Sequence, residues 1–274
     1  MAGAFFIFLR EGVEGSLIVA ILLAYLAKIG RRDLFRDIYL GVVSALVLAC
    51  AAGVVLYLTV HTYANTTGQT IFETATYILA AALLTYMTLW LHHHARSLST
   101  ELRTKVSVAL DGRQRLGLGL LAFQAVGREG LETMVFTLAL VFAQGTGGIG
   151  VGGLLGLVLS LAIAFMMYRL GKRINLGKFF TVLGVLLTVF AAGLLADAIE
   201  NLQQLGWIPF LHQVVWHSGQ FISENSTFGD ILHVFLGYAS SPSVLQLGVY
   251  LVYVVIVATL LIRAPKHRPS SAAS

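Results

Sequence analysis

Two pentapeptides carry the chemistry of this chain: Arg10-Glu11-Gly12-Val13-Glu14 and Arg128-Glu129-Gly130-Leu131-Glu132. Each lies inside a stretch otherwise apolar enough to cross a membrane. A charged side chain near the bilayer centre costs at least ~2.5–3.5 kcal/mol on insertion scales, so matched clusters of carboxylates and guanidiniums point to an ion pathway. On a helix, Glu11 and Glu14 are i and i+3, as are Glu129 and Glu132, so each pair projects from one face, about 4.5 Å apart along the axis. Arg10 lies i, i+4 from Glu14 and Arg128 lies i, i+4 from Glu132, so each arginine is placed to brace a carboxylate of its own helix. The second acid of each motif is then surplus to a purely structural bridge. Gly12 and Gly130 remove side chains between the acids and allow close helix approach.

Two such faces meeting would gather four carboxylates and two guanidiniums. With every glutamate ionised the cluster is doubly negative, a charge that a divalent cation neutralises. Carboxylate oxygens favour hard cations, and the motifs hold no sulfur or histidine to draw copper or zinc. Without metal, crowded buried carboxylates share protons, so metal entry would release them. The single cysteine, Cys50, sits in an apolar run and offers neither a disulfide nor a cysteine metal site.

The elements that must hold these motifs follow from composition. Hydrophobic residues make up 57% of the chain and charged residues 11%, the balance of a membrane protein. Apolar runs between polar breaks predict seven spans, at about residues 4–28, 38–60, 71–91, 116–143, 150–170, 178–199 and 244–262. The basic residues decide orientation, because Lys and Arg in short loops stay on the cytoplasmic side. Lys28, Arg31, Arg32 and Arg36 follow the first span, Arg96 to Arg115 the third, Arg169 to Lys178 the fifth, and Arg263, Lys266 and Arg268 the seventh. The connections after spans two, four and six hold none. That alternation predicts an N-out, C-in protein. The pI near 9.4 does not mark a nucleic-acid surface, since the basic residues flank apolar segments instead of sharing one face. The first span lacks a basic n-region and is interrupted by charge, so it reads as a retained helix and not a cleaved signal.

An odd number of crossings separates the two motif helices, so they run antiparallel. Leu40-Gly41-Val42-Val43-Ser44 in span two resembles Leu155-Gly156-Leu157-Val158-Leu159-Ser160 in span five, and Phe72 opening span three matches Phe179 and Phe180 opening span six. This pattern predicts an inverted three-plus-three repeat, an architecture whose interface commonly holds a transporter's substrate, plus one extra helix. The fold class is therefore an all-α polytopic membrane protein. Residues 1–262 are expected to form a single transmembrane domain with repeat halves of about 1–91 and 116–199, an outer connection 200–243 and a last helix 244–262. Residues 263–274 form a Pro/Ser-rich cytoplasmic tail expected to be disordered.

The doubled R-E-G-x-E motif, the seven-span layout and the stretch Arg173-Ile174-Asn175-Leu176-Gly177-Lys178-Phe179-Phe180 resemble the high-affinity iron permease family, in its bacterial form the permease of the elemental ferrous iron uptake system. The resemblance runs from the first helix through the seventh. It implies iron (Fe2+ or Fe3+) as transported substrate, with no permanently bound cofactor, and Glu11, Glu14, Glu129 and Glu132 as the transport carboxylates. It also implies delivery partners: a multicopper oxidase in fungi or, in bacteria, a periplasmic cupredoxin-like protein and a haem peroxidase. The expected location is the bacterial cytoplasmic (inner) membrane, and the chain is expected to be a pore subunit and not an enzyme.

The outward side supports cation uptake on its own. Its acids are Glu73, Asp197, Glu200, Glu224 and Asp230, with no Lys or Arg among them, so the local potential concentrates cations before entry. Glu73 resembles a glutamate that the family carries there and is expected to act as an outer-vestibule ligand. The outer connection adds His212, His217 and His233 among apolar residues spaced as in short interfacial helices, a candidate metal-receiving or docking patch with no tight ligand spacing. His92, His93 and His94 close span three on the inner side and read as a solvated interfacial run, and the basic stretch 92–115 reads as an amphipathic helix on anionic lipid. The sequons at Asn65 and Asn225 have no consequence in a bacterial chain.

Other functions fit parts of this pattern. A permease for another divalent metal, manganese or lead, with proton exchange would use the same carboxylates. An intramembrane di-metal carboxylate oxidase would also pair acids, but such sites add an E-x-x-H histidine that both motifs lack. A receptor or scaffold with structural ion pairs predicts iron uptake that survives Glu14→Gln and Glu132→Gln.

Overall fold

In a computed structural model the described residues are all except 63–65, 95–114, 171–175, 219–228, 230, 231, 233–236 and 264–274. The side chains of 60–62, 91–94, 115, 116, 167–170 and 176–178 also lie outside the description. Among the described residues the chain forms α1 (Ala2–Lys28), α2 (Phe35–Thr62), α3 (Thr67–His94), α4 (Arg115–Gln144), α5 (Ile149–Leu170), α6 (Leu176–Gln204) and α7 (Val244–Arg263). The elements match the seven expected spans, with ends that run a few residues further. Backbone groups cannot be left unpaired in lipid, so each helix persists until polar residues or water can take over.

Five of the helices are long and apolar enough to cross a membrane by length and composition. The other two, α1 and α4, are as long, at 27 and 30 residues, or about 40–45 Å at 1.5 Å per residue. What sets them apart is the charge of the two motifs. The surface is apolar where lipid would touch it: Val47 and Leu48 on α2, Leu154 and Val158 on α5, and Val252 and Val255 on α7 are all exposed.

Packing crosses between the two halves. The most extensive helix contacts pair α1 with α5, α2 with α4 and α3 with α6, while α1 also meets α4, and α7 lies on α6 and α3. Exchanging α1 with α4, α2 with α5 and α3 with α6 maps this pattern onto itself, as an inverted repeat requires. α7 stands outside that exchange.

Close approaches fix the register of the exchange. A Cβ at Gly12 would lie 2.9 Å from Ser160 Cβ, and one at Gly130 would lie 2.9 Å from Ala49 Cβ. Likewise Gly152 packs on the backbone of Met1 and Gly41 on the backbone of Gly119. Gly41 is therefore the counterpart of Gly152, one turn before the Gly156 that the sequence echo pairs it with. Shifting a helix by one turn keeps the same face, so a Leu-Gly-x-x-Ser match among many small residues does not set register. The contacts do.

Two buried clusters lie on either side of the motif level. Ile7, Tyr77, Leu84, Phe136, Leu140 and Leu194 fill the half near the N-terminus. Leu22, Leu26, Leu34, Ile38 and Leu118 fill the other half, beside the basic turn that carries Lys28, Arg31 and Arg32. That turn contains Gly30 at φ +77, a left-handed position just past the end of α1 that glycine adopts without steric cost. With the basic end cytoplasmic, Met1 lies outside and Arg263 inside.

Candidate functional site

The two motifs meet at the α1·α4 crossing. Arg10, Glu11, Glu14, Glu129 and Glu132 are all buried, Arg10 to 1% exposure. Carboxylate oxygens of Glu11, Glu14 and Glu129 lie within 4.8 Å of one another. Metal–oxygen bonds of about 2.0–2.2 Å put opposite ligand oxygens roughly 4 Å apart, so small side-chain rotations close this trio around one ion.

Several polar atoms at the crossing have no hydrogen-bond partner: Arg10 Nη2, Glu11 Oε2, Glu14 Oε1, Glu129 Oε2 and Glu132 Oε2. Buried polar atoms are nearly always satisfied, and a native exception calls for an ion, a water or a function. Four of these five atoms are carboxylate oxygens, the donor set of a hard cation.

The arginines behave differently from each other. Arg10 Nη1 donates to Glu11 Oε1 at 2.9 Å, and Arg10 Nε stands 3.3 Å from Glu14 Oε1, an ion pair without hydrogen-bond geometry. Glu11 is therefore not the unbraced acid that i, i+4 spacing predicts, because its neighbour in sequence folds back on it. Among the described residues Glu129 forms no ion pair with either guanidinium. Arg128 Nε donates to Glu132 Oε1 at 2.9 Å, as the spacing predicts. Its side chain is 42% exposed, rests on Met87 Sδ and lies 5.5 Å from the Trp90 ring centre. Glu132, held this way, stands outside the tight trio, so three of the four motif acids converge closely and the fourth flanks them.

Gly12 and Gly130 let α5 and α2 press against the backs of the motif helices. The reason lies in helix geometry, since a residue between two i, i+3 acids points away from the face they share.

The halves differ at equivalent positions. A cleft of about 460 Å³ opens between α2 and α4, lined by Ala45, Ala49, Leu83, Gly127, Arg128 and Leu131. In the first half the matching positions on α1, Leu9, Val13 and Leu17, are sealed by Phe180 with Phe179 and Trp90 packed alongside. Sequence reasoning misses Met87 and Trp90, since their i, i+3 spacing on α3 is indistinguishable from ordinary core packing.

Residues 1–265 match the Iron permease FTR1 family. The chain belongs to that family. It is similar to the ferrous iron permease EfeU of Yersinia pestis, with 32% identity over 271 residues, 98% of this chain and 95% of that protein. It is equally similar to the ferrous iron permease EfeU of Escherichia coli O6:H1 (strain CFT073), with 32% identity over 254 residues, 92% of this chain and 91% of that one. No solved structure matches the chain.

In this family member Glu73 stands apart from the crossing. It is half-buried near the outer start of α3 and accepts a hydrogen bond from Gln69 Nε2 at 2.7 Å. Asp197 and Glu200, on α6, share its neighbourhood around the buried Tyr77. Glu200 accepts from Gln246 Nε2 at 2.9 Å and from Gln204 Nε2 at 3.2 Å. His212 and His217 are exposed, and His217 Nδ1 lies 3.4 Å from Ser241 Oγ.

Residues 205–218 of the outer connection are not helical, whereas Gly229 and Leu232 further along it are, so the expected short interfacial helices do not begin directly after Gln204. Gly206 and Pro209 interrupt the helical pattern there. Glu224, Asp230, His233, the side chains of His92 to His94, the segment 95–114, Arg173 to Asn175, both sequon asparagines and the tail 264–274 lie outside the described residues.

Proposed function

We propose that this protein is an iron permease that carries iron ions inward across the membrane, binding each ion between α1 and α4. The observation that carries this reading is the buried trio Glu11, Glu14 and Glu129, whose oxygens lie within 4.8 Å of one another. Both motifs contribute to it, as a shared site requires. The iron permease family match and the ferrous iron permease relatives supply the identity of the cargo. In this reading the chain performs no catalytic chemistry of its own.

The role of each residue follows from its surroundings. Glu11, Glu14 and Glu129 coordinate the ion, and Glu132 flanks them while braced by Arg128. Arg10 balances charge between ions, because its guanidinium already occupies Glu11 and faces Glu14. Glu11 Oε2 has no partner, so an arriving cation can take that oxygen while Arg10 keeps Oε1. Outside, Glu73, Asp197 and Glu200 draw cations toward the mouth, with Glu73 as the outer ligand. The open cleft beside α4 and its sealed counterpart beside α1 support a carrier in which the two halves exchange conformations around a fixed site.

The remaining assignments extend this reading: residence in the bacterial cytoplasmic membrane, and iron supplied by a periplasmic cupredoxin-like protein and a haem peroxidase. The test is radioactive iron uptake into vesicles with the redox state clamped outside. Glu11→Gln, Glu14→Gln and Glu129→Gln should each lower uptake by about tenfold or more, since losing even an outer partner of a metal ligand costs about 10–100-fold. Glu73→Gln should raise the half-saturating iron concentration while leaving the central site intact. Unchanged uptake in the three trio variants would refute the site.

A further inference from the structure

The segment after α6 carries an exposed apolar face that no helix covers among the described residues. Trp207, Phe210, Leu211, Val214, Val215 and Trp216 are all exposed, Trp207 to 63%. The segment is nonetheless well built. Val215 N donates to Pro242 O, Ser218 N to Ser240 O and Val244 N to Gln213 O, each at 2.9 Å. These bonds pin residues 213–218 as a ribbon against 239–244, at the start of α7. Trp216 Nε1 donates to Ala239 O at 3.2 Å, which satisfies the polar edge of the indole while its ring stays outside. Leu211 adopts φ +57, a left-handed conformation that is strained for leucine. That strain presents an apolar side chain to the surroundings, a cost with no return in water.

Charge and continuity both identify the surroundings. Between Glu200 and Glu224 the sequence has no Asp, Glu, Lys or Arg, so this face offers a protein partner no fixed charge to recognise. It also continues the exposed apolar surface of α7, the helix that follows it, at Leu251 and Val252. Tryptophan with a satisfied N–H and an exposed ring is the residue suited to the headgroup level of a bilayer.

We propose that residues 207–216 insert into the outer-leaflet interface of the membrane and anchor the vestibule rim to lipid. The root of the ribbon is tied to that rim by two side-chain hydrogen bonds. Ser243 Oγ donates to Gln203 Oε1 at 2.9 Å, and Gln246 Nε2 donates to Glu200 Oε2 at 2.9 Å. The lipid surface thereby fixes the height of Glu200 and of the α6–α7 junction. The inference stands on this segment alone and does not depend on which ion is carried.

Two of the three tryptophans lie in the segment, so a Trp90→Phe variant of the full chain in phosphatidylcholine vesicles reports on it by fluorescence. Lipid brominated near the top of its acyl chains should remove about half of the emission or more, with acrylamide in water quenching only weakly, as for interfacial tryptophan. Lipid quenching below that level, or acrylamide quenching close to that of free tryptophan, would overturn the proposal and mark a water-facing surface suited to a protein. A second measurement keeps Trp90 in place. A spin label at Leu211→Cys in a Cys50→Ala background should meet dissolved oxygen more readily than a water-soluble nickel complex, and the reverse order would overturn the proposal.

Discussion

Arg10→Gln should be more damaging than Arg128→Gln, although the two arginines hold the same place in identical spacing patterns. The Arg10 side chain is 2% exposed and lies 2.9 Å from Glu11 Oε1 and 3.3 Å from Glu14 Oε1. Removing one partner of a buried pair leaves an uncompensated charge and costs about 3–5 kcal/mol. Two carboxylates lose their partner here, so the loss belongs at the upper end, about 5 kcal/mol. Arg128 is 42% exposed and holds Glu132 alone, at 2.9 Å. A partly exposed pair is itself worth about 0–1 kcal/mol. Glu132 is nonetheless buried and loses its one partner, so Arg128→Gln should cost about 1–3 kcal/mol, below the loss at Arg10. Thermal unfolding in detergent, followed by the fraction of monodisperse protein, measures the difference. Ferrous iron should raise the midpoint of Arg10→Gln more than that of wild type, because the ion replaces the missing cation. Equal losses for the two variants, or no added iron stabilisation of Arg10→Gln, would refute the idea that Arg10 serves as the resident counter-charge.

The helix approaches supply a paired test. A Cβ at Gly41 would run into the backbone of Gly119 and lie 3.1 Å from Phe123 N, whereas one at Gly15 meets nothing within 4 Å. Gly41→Ala should lower stability by about 1–3 kcal/mol through overpacking against backbone, and Gly15→Ala should hold or gain up to about 1 kcal/mol from helix propensity; both are read from unfolding midpoints. The hydroxyls of Tyr253 and Thr85 lie 2.6 Å apart and join α7 to α3. Tyr253→Phe should cost about 0.5–1.5 kcal/mol, the net worth of one hydrogen bond, while iron affinity measured by titration stays unchanged.

The amino-acid sequence by itself determines that this chain is a bundle of membrane helices with one charged level. Apolar run lengths fix the number of helices, the alternation of Lys and Arg fixes their direction, and the doubled Arg-Glu-Gly-x-Glu pattern fixes where the charge lies. These are one-dimensional properties, set by bilayer thickness and by the cost of burying charge. They survive errors of several residues in each boundary.

Tertiary structure decides which acids meet. Spacing treats the two motifs as equal, yet Glu11, Glu14 and Glu129 converge while Glu132 flanks them under Arg128. It also sets the repeat register one turn from the sequence echo, and decides that the helices approaching Gly12 and Gly130 are α5 and α2. The physical reason is that helical periodicity tells which residues share a face, but not which neighbour that face meets or at what height. Only the crossing of α1 and α4, with α5 and α2 pressed behind them, supplies that information.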